Sequence, residues 1–178
     1  LSTIYLLLPA AMANMAPVVA GRLRFWPQLN IPIDGNHRIF GQPIFGAGKT
    51  WRGLLVGCIA AVLTCGLQAM LYQLGWIRTL SPINFFQVNW FIFGLVAGLG
   101  ALVGDIAKSF VKRQVHIGSG QPWPVFDQLD FLAGFVIATW WLFPWHSNRI
   151  WVAIIITLIM HPLANIIGFL LKIKKVWW

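Results

Sequence analysis

Long apolar runs separated by polar stretches rich in Gly and Pro set the pattern of the chain. The runs lie near residues 1–20, 53–74, 88–104, 129–144 and 149–171. A helix crosses a bilayer with roughly 17 to 25 apolar residues, so each run is predicted to be one transmembrane helix. Five spans and their loops account for residues 1–178, which predicts an all-α polytopic membrane protein forming a single transmembrane domain with no separate soluble unit. The first run lacks the basic start of a signal peptide and is expected to stay as a packing partner for the others. Gly53 and Gly57 form a GxxxG pair on the second span, and Gly94 with Gly98 and Gly100 with Gly104 form two on the third. Small residues at this spacing let helix backbones approach closely in lipid, so spans two and three are predicted to pack tightly.

The polar stretches are unequal. Residues 21–52 and 105–128 are too long to be mere connectors, and such loops tend to be functional. The second begins as a helix running out of span three, turns at Gly118, Ser119 and Gly120, and re-enters after Pro122 and Pro124. The other loops contain almost nothing reactive. No repeat of domain-building length and no inverted repeat of the transporter kind is evident.

Composition agrees with this reading. Charged residues make up 10% of the chain, against about a quarter in soluble domains. The net charge of +9 could suggest nucleic acid, but its distribution points to topology instead. Arg22, Arg24, Arg38, Lys49 and Arg52 fall in the first long loop, Lys108, Lys112 and Arg113 in the second, and Lys172, Lys174 and Lys175 at the end. With alternating spans all of these share one side, and only Arg78 and Arg149 fall on the other. The positive-inside rule then predicts an outside N-terminus, a cytoplasmic C-terminus and both long loops in the cytoplasm. Trp26, Trp51, Trp123, Trp177 and Trp178 at the inner ends and Trp76, Trp90, Trp145 and Trp151 at the outer ends read as interfacial belts. Cys58 and Cys65 lie seven residues apart on one helix, about 10 Å, too far for a disulfide.

The acids are few. Asp34, Asp105, Asp127 and Asp130 are the only four, with no glutamate. Asp127 and Asp130 share a helical face just before an apolar run, and Asp105 lies at the matching end of span three. Three carboxylates at one depth repel unless something positive lies between them. Hard oxygen ligands without neighbouring Cys or His suit Mg²⁺, Mn²⁺ or Ca²⁺ rather than zinc. Ion pairing with Lys108, Lys112 or Arg113 is the alternative; the scarcity of acids and their membrane depth favour the metal. Lys108, Ser109 and Lys112 stay within about 60° of Asp105 around the helix, and Arg113 follows at about 80°. One stripe thus offers a carboxylate for an ion and cations for phosphate oxygens.

"FGAGKT", residues 45–50, resembles the end of a P-loop, but the required first glycine position is Pro43 and no buried strand precedes it. A Walker fold is excluded. The local physics survives, since the amides around Gly46 and Gly48, with Lys49 and Thr50, can still cradle an anion. On span five, Thr157, His161 and Asn165 repeat at helical spacing around Pro162. They read as a polar seam satisfied by a neighbouring helix or water, with lining of a substrate groove as the alternative; Asn14 reads the same way. A divalent ion, polyphosphate-gripping cations and a mouth between lipid-facing helices point to phosphoryl or nucleotidyl transfer to a lipid.

The run Gly104-Asp105-x-x-Lys108-Ser109-x-x-Lys112-Arg113, followed by Asp127-x-x-Asp130, resembles the signature of the CTP-dependent lipid cytidylyltransferases. The longer bacterial and eukaryotic members carry an H-G-G element and D-R-x-D where this chain reads "PWPVFDQLD", with Gln128 in place of Arg. A chain of this length with "DGNHRIFG" and "GKTWRG" in its first loop is similar to the archaeal branch, the CDP-archaeol synthases. The resemblance implies transfer of CMP from CTP to 2,3-di-O-geranylgeranyl-glycerol-1-phosphate, a phosphate-headed ether lipid, with release of pyrophosphate. It further implies one or two Mg²⁺ ions on Asp105, Asp127 and Asp130. Lys108, Ser109, Lys112 and Arg113 are then expected on the triphosphate, and Gly46, Gly48, Lys49 and Thr50 on the nucleotide side. The expected setting is the cell membrane, with the active site facing the cytoplasm. Two other readings fit these residues less well. CDP-alcohol phosphotransferases use D-G-x-x-A-R, whereas Asp34-Gly35 here is followed by Asn36-His37; a divalent-cation channel needs acids along a path, whereas these cluster at one end.

Overall fold

The computed structural model describes residues 1–173 and 176; Lys174, Lys175, Trp177 and Trp178 of the predicted flanks lie outside them. The described chain folds as α1 (Ser2–Arg22), a 3₁₀ turn at Pro27–Leu29, a hairpin of β1 (Arg38–Ile39) and β2 (Gln42–Pro43), α2 (Trp51–Leu71), α3 (Gly75–Leu80), α4 (Trp90–Gln114), α5 (Phe126–Thr139) and α6 (Ser147–Leu170). Among the described residues α1, α2, α4 and α6 are long and apolar enough to cross a membrane. Their starts follow local chemistry. The Thr50 hydroxyl accepts the Gly53 amide at 3.2 Å, and the Asn89 side chain accepts those of Phe91 and Ile92 at 3.0 and 3.1 Å, each satisfying amides a helix leaves open.

The fourth predicted span, at 129–144, is shorter than expected. α5 holds 14 residues, about 21 Å at 1.5 Å per residue, against the roughly 30 Å of a bilayer core. Thr139 marks its end. That hydroxyl donates to the Phe135 carbonyl at 2.7 Å and accepts Trp145 Nε1 at 3.1 Å, so the chain turns at residues 140–142 rather than continuing as helix. This also corrects the placement of Trp145 in an interfacial belt. It is buried, with its ring edge-on to Phe135 and Phe143. Trp26, Trp51, Trp76, Trp90 and Trp151 are exposed, as a belt requires.

α4 is the central helix, packed on α1, α2 and α5. Its glycines divide the work in a way their spacing alone did not reveal. A Cβ at Gly94 would lie 2.9 Å from Val62 Cα, and one at Gly98 2.7 Å from Ala61 Cβ, so this pair seats α4 on α2 as predicted. Gly100 and Gly104 turn the other way, onto α5, where Gly134 meets them backbone to backbone. On α2, Gly57 faces the Ala13 carbonyl of α1 as well as Leu102 of α4, and Gly53 faces Pro17. Small residues dominate the buried seams, with Ala10, Ala13, Ala61, Ala97, Ala101 and Ala153 fully covered. Leu63, Leu67, Met70, Ile137, Ile155 and Ile159 remain exposed, as helix faces turned to lipid would be. Cys58 and Cys65 are free thiols. At the end of the bundle away from the carboxylates, Arg78 stands over the Tyr72 and Phe86 rings and Arg149 over Phe143, each about 5 Å from a ring centroid.

Candidate active site

The 21–52 loop is built around Asp34. Its carboxylate accepts the amides of Asn36 at 3.0 Å, Phe45 at 2.9 Å and Gly46 at 3.1 Å. Burial alone would raise this carboxyl, but those amides outweigh it and hold the group below its ordinary value of 3.8. At the base of the loop, Ile33 donates to the Lys49 carbonyl at 2.9 Å and Trp51 to the Ile31 carbonyl at 3.0 Å. The loop is thereby closed like a clasp. Gly46 sits at φ +90, a conformation glycine adopts without strain, and the Arg113 side chain passes beside it. The clasp delivers Lys49 to Asp105 of α4, where ammonium and carboxylate form an ion pair.

On α4, Asp105, Lys108 and Lys112 face α5 across the glycine seam. Gly104 abuts the Asp130 carbonyl, which places Asp105 beside Asp130. The Nζ of Lys108 lies 3.2 Å from Asp105, 2.9 Å from Asp127 and 2.7 Å from Asp130. Three carboxylates from two helices therefore converge on one ammonium, and their oxygens can be no farther apart than two salt-bridge lengths. Lys112 donates to both oxygens of Asp127 at 3.0 Å and to the Gln121 carbonyl at 2.6 Å. Asp127 also accepts the Trp123 amide at 2.6 Å, tying the 115–125 turn to the first turn of α5. Asp127 thus sits at the positive end of that helix.

The predicted site residues do gather at one place, with two refinements. The Ser109 hydroxyl donates to its own helix at the Asp105 carbonyl, 2.8 Å away, and the Thr50 oxygen is committed to the α2 cap. Gly48 is open, with nothing within 4 Å of a Cβ built there. Arg113 is buried and its Nε has no partner. Among the described residues no three of His, Cys, Asp or Glu are arranged to hold a metal ion as they stand, and Lys108 lies between the three aspartates. Their chemistry nevertheless fits a hard divalent ion: all oxygen donors, no sulfur or imidazole, and a cation already attracted to the same spot.

Sequence reasoning missed the part played by Asp34, Gln121 and Trp123. Asp34 was legible, since Asp-Gly-Asn is a strong turn sequence and Asp accepts backbone amides two residues on. The Gln121 carbonyl and Trp123 amide are backbone groups, and no residue type marks them.

Asp105, Asp127 and Asp130, with Lys49, Lys108, Lys112 and Arg113, line one end of a cavity of about 860 Å³. Its other walls are apolar residues of α1 and α6, among them Leu8, Met15, Ile156 and Met160. Thr157, His161, Asn165 and Asn14 all lie on this wall, and Asn165 Nδ2 lies 3.5 Å from His161 Nδ1 within the seam. The His161 ring stacks on Phe131, next to Asp130. One chamber therefore joins an ionic end to a greasy trough.

Comparison with known proteins gives one answer. The family model described as CarS-like, CDP-archaeol synthase, matches residues 1–178. The CDP-archaeol synthase of Methanococcus aeolicus is 35% identical over 176 residues, covering 97% of this chain and 93% of that protein. The one of Aeropyrum pernix is 37% identical over 180 residues, covering 100% of this chain and 92% of that protein. A solved structure presented as an intramembrane enzyme for archaeal membrane lipids biosynthesis superposes with a TM-score of 0.73 at 33% identity, covering 92% of both chains.

Proposed function

The chain belongs to the CarS-like family of CDP-archaeol synthases, and from that premise we propose how its single chamber performs the family's reaction. It is a CTP-dependent lipid cytidylyltransferase, moving a cytidylyl group from CTP to an archaeal lipid to give CDP-archaeol. The observation that carries the site assignment is the joining of three aspartates and four cations to an apolar trough within one cavity.

In the proposed arrangement the phosphate of a 2,3-di-O-geranylgeranyl-glycerol-1-phosphate lies at the ionic end, and its isoprenoid chains extend between α1 and α6. The lipid phosphate is anionic at neutral pH and needs no general base. One of its oxygens attacks the α-phosphorus of CTP, the bond to the bridging oxygen of the β-phosphate breaks, and pyrophosphate leaves with that electron pair. Lys108, Lys112 and Arg113 hold triphosphate oxygens and stabilise the charge that grows on the leaving group. Lys49, carried by the Asp34-anchored clasp with Gly46 and Gly48, closes the nucleotide side. Asp105, Asp127 and Asp130 are the residues that would hold Mg²⁺, as one ion or two. When bound, Mg²⁺ supplies Lewis-acid charge that draws the two anionic substrates together and lowers the barrier to pyrophosphate release. What remains for the protein is alignment, worth several kcal/mol in reactions of this kind.

We further propose that residues 1–178 act as one catalytic domain and that α5, extended by the turns at residues 140–142, completes a fifth crossing of the cell membrane. The N-terminus is then outside and the ionic end faces the cytoplasm, where CTP is made. The charge distribution supports this orientation. Asp34 lies outside the chamber, bound to backbone amides, so the Asp-Gly reading of a CDP-alcohol phosphotransferase loses its motif. The clustered acids likewise give a channel no path. The test is direct. Purified protein with radiolabelled CTP and a phosphate-headed ether lipid is expected to form CDP-lipid and pyrophosphate, to stop with EDTA and to recover with Mg²⁺. Full turnover in EDTA overturns the assignment of the aspartates.

A further inference from the structure

Every carboxylate oxygen at the ionic end is already engaged. Asp105 spends one oxygen on Lys49 and the other on Lys108. Asp127 gives Oδ1 to Lys108 and Lys112, and Oδ2 to Lys112 and the Trp123 amide. Asp130 gives Oδ2 to Lys108 and Oδ1 to the Phe131 amide. A divalent ion shared by all three aspartates would have to take the position of the Lys108 ammonium, so that partner must leave first. Lys108 is the one whose nitrogen touches all three aspartates, and its side chain is largely enclosed. The same accounting covers the phosphate-binding cations: Lys49, Lys108 and Lys112 are all held by aspartates. Among the described residues lining the chamber, a nucleotide reaching this state meets Arg113 as the cation not held by an aspartate salt bridge.

We propose that Lys108 is a resident cation which holds the three aspartates together until a divalent ion exchanges for it, and that the exchange frees its ammonium for a phosphate. The electrostatics favour such a swap. At the point where the three carboxylates converge, the Lys108 ammonium brings a single charge, in a partly desolvated site where such interactions are strong. A dication brings twice that charge and takes oxygen ligands that a four-carbon chain can vacate by rotation about its side-chain bonds. Metal and nucleotide binding are then coupled, because the ion that takes the carboxylates also unmasks the lysine. The release to phosphate rests on the CTP-dependent reading above; the exchange itself does not.

The experiment uses the full chain in detergent, stripped with a chelator, with Mn²⁺ alone as probe. Lys108→Met keeps the length of the side chain and removes its charge. Binding of Mn²⁺ is expected to tighten by about tenfold or more, the equivalent of losing one charge-assisted competitor. Unchanged or weaker binding overturns the proposal. Since three facing acids could prevent K108M from folding, a second measurement uses the unaltered protein. Amine-reactive labelling read by mass spectrometry is expected to find Lys108 protected in EDTA and reactive in Mg²⁺, with Lys172 the same in both. Equal labelling of Lys108 in the two conditions also overturns it. Neither readout involves CTP or lipid. A protein that shows the exchange but transfers no CMP refutes the functional reading alone, and one that transfers CMP without the exchange refutes this inference alone.

Discussion

Replacing Gly104 by alanine tests whether backbone contact between α4 and α5 sets the geometry of the ionic end. A Cβ there would fall 3.1 Å from both the Asp130 carbonyl carbon and Gly134 Cα, and nearer still to the Asp130 oxygen. Comfortable contact needs about 3.5 Å or more, and every atom it meets is backbone, so no side chain can swing aside. The helices must separate by on the order of 1 Å, an overpacking that costs about 1–3 kcal/mol. The displacement falls directly on the chemistry. Asp130 contributes both the crowded carbonyl and the carboxylate now 2.7 Å from Lys108, and a shift of that size would take the carboxylate out of reach of an ion shared with Asp105. A 1 Å misplacement of reacting groups is worth about a hundredfold in rate. G104A is therefore expected to lower kcat by about a hundredfold, with KM for CTP changed much less, while the protein still purifies folded with a reduced melting temperature. Gly75, where a Cβ meets nothing within 4 Å, is the control: G75A is expected to match the wild type. A G104A enzyme within a few fold of wild-type turnover would refute the argument that the glycine seam fixes the site.

Asp127→Asn and Asp130→Asn are each expected to abolish turnover while the protein still folds, at a lowered melting temperature because an enclosed lysine loses a carboxylate partner; an active variant in the cytidylyl-transfer assay would count against that aspartate. Asp34→Asn should loosen the clasp and raise KM for CTP several-fold with little effect on the lipid KM. The pH dependence of that variant has a definite sign. The Asp34 carboxyl is held below its ordinary value, so its stabilising bonds are intact above that value and are lost as pH falls through the lowered one. The melting-temperature gap between wild type and D34N should stay constant from about pH 5 to 8 and close only in stronger acid, and a gap that closes near neutrality would contradict this. Thr157→Val should raise stability by about 1–2 kcal/mol. The hydroxyls of Thr64, Ser109 and Thr139 donate to the carbonyl four residues earlier, whereas that of Thr157 is buried without a partner. A lower melting temperature for T157V would mean that this hydroxyl is satisfied.

The apolar run lengths located α1, α2 and α6 to within a few residues, and the start of α4, because lipid imposes a length on any chain that crosses it. The fourth predicted span was mislaid for an equally physical reason. A run at 129–144 records that residues are apolar, not that they are helical, and the turn after Thr139 depends on a hydrogen bond from Trp145 that only the folded chain can make. The gathering of Asp105, Asp127 and Asp130 was legible because acids are so scarce that each must have a reason to be where it is. Which glycine faced which helix was not. Gly98 and Gly100 are separated by two residues, or about 200° around the helix, so they look to opposite neighbours. Spacing alone names a face without naming its partner.

That opposition links packing to catalysis. If α4 presented all four of its glycines to α2, it would approach one neighbour closely and meet the other through side chains, and the aspartates of α5 would stand back from Asp105. With Gly94 and Gly98 on α2 and Gly100 and Gly104 on α5, α4 is held close on both flanks. Its ionic stripe then rises between the Lys49 clasp on one side and Asp127 and Asp130 on the other. The three lysines there pair with the three aspartates as a nearly neutral network, which is how so many ionised groups can be enclosed at the end of an apolar bundle before any substrate arrives. The cation beyond that balance is Arg113, buried beside Gly46 with its Nε unpartnered. Its excess charge gives an incoming triphosphate a first point of attachment while the lysines are still held by the aspartates.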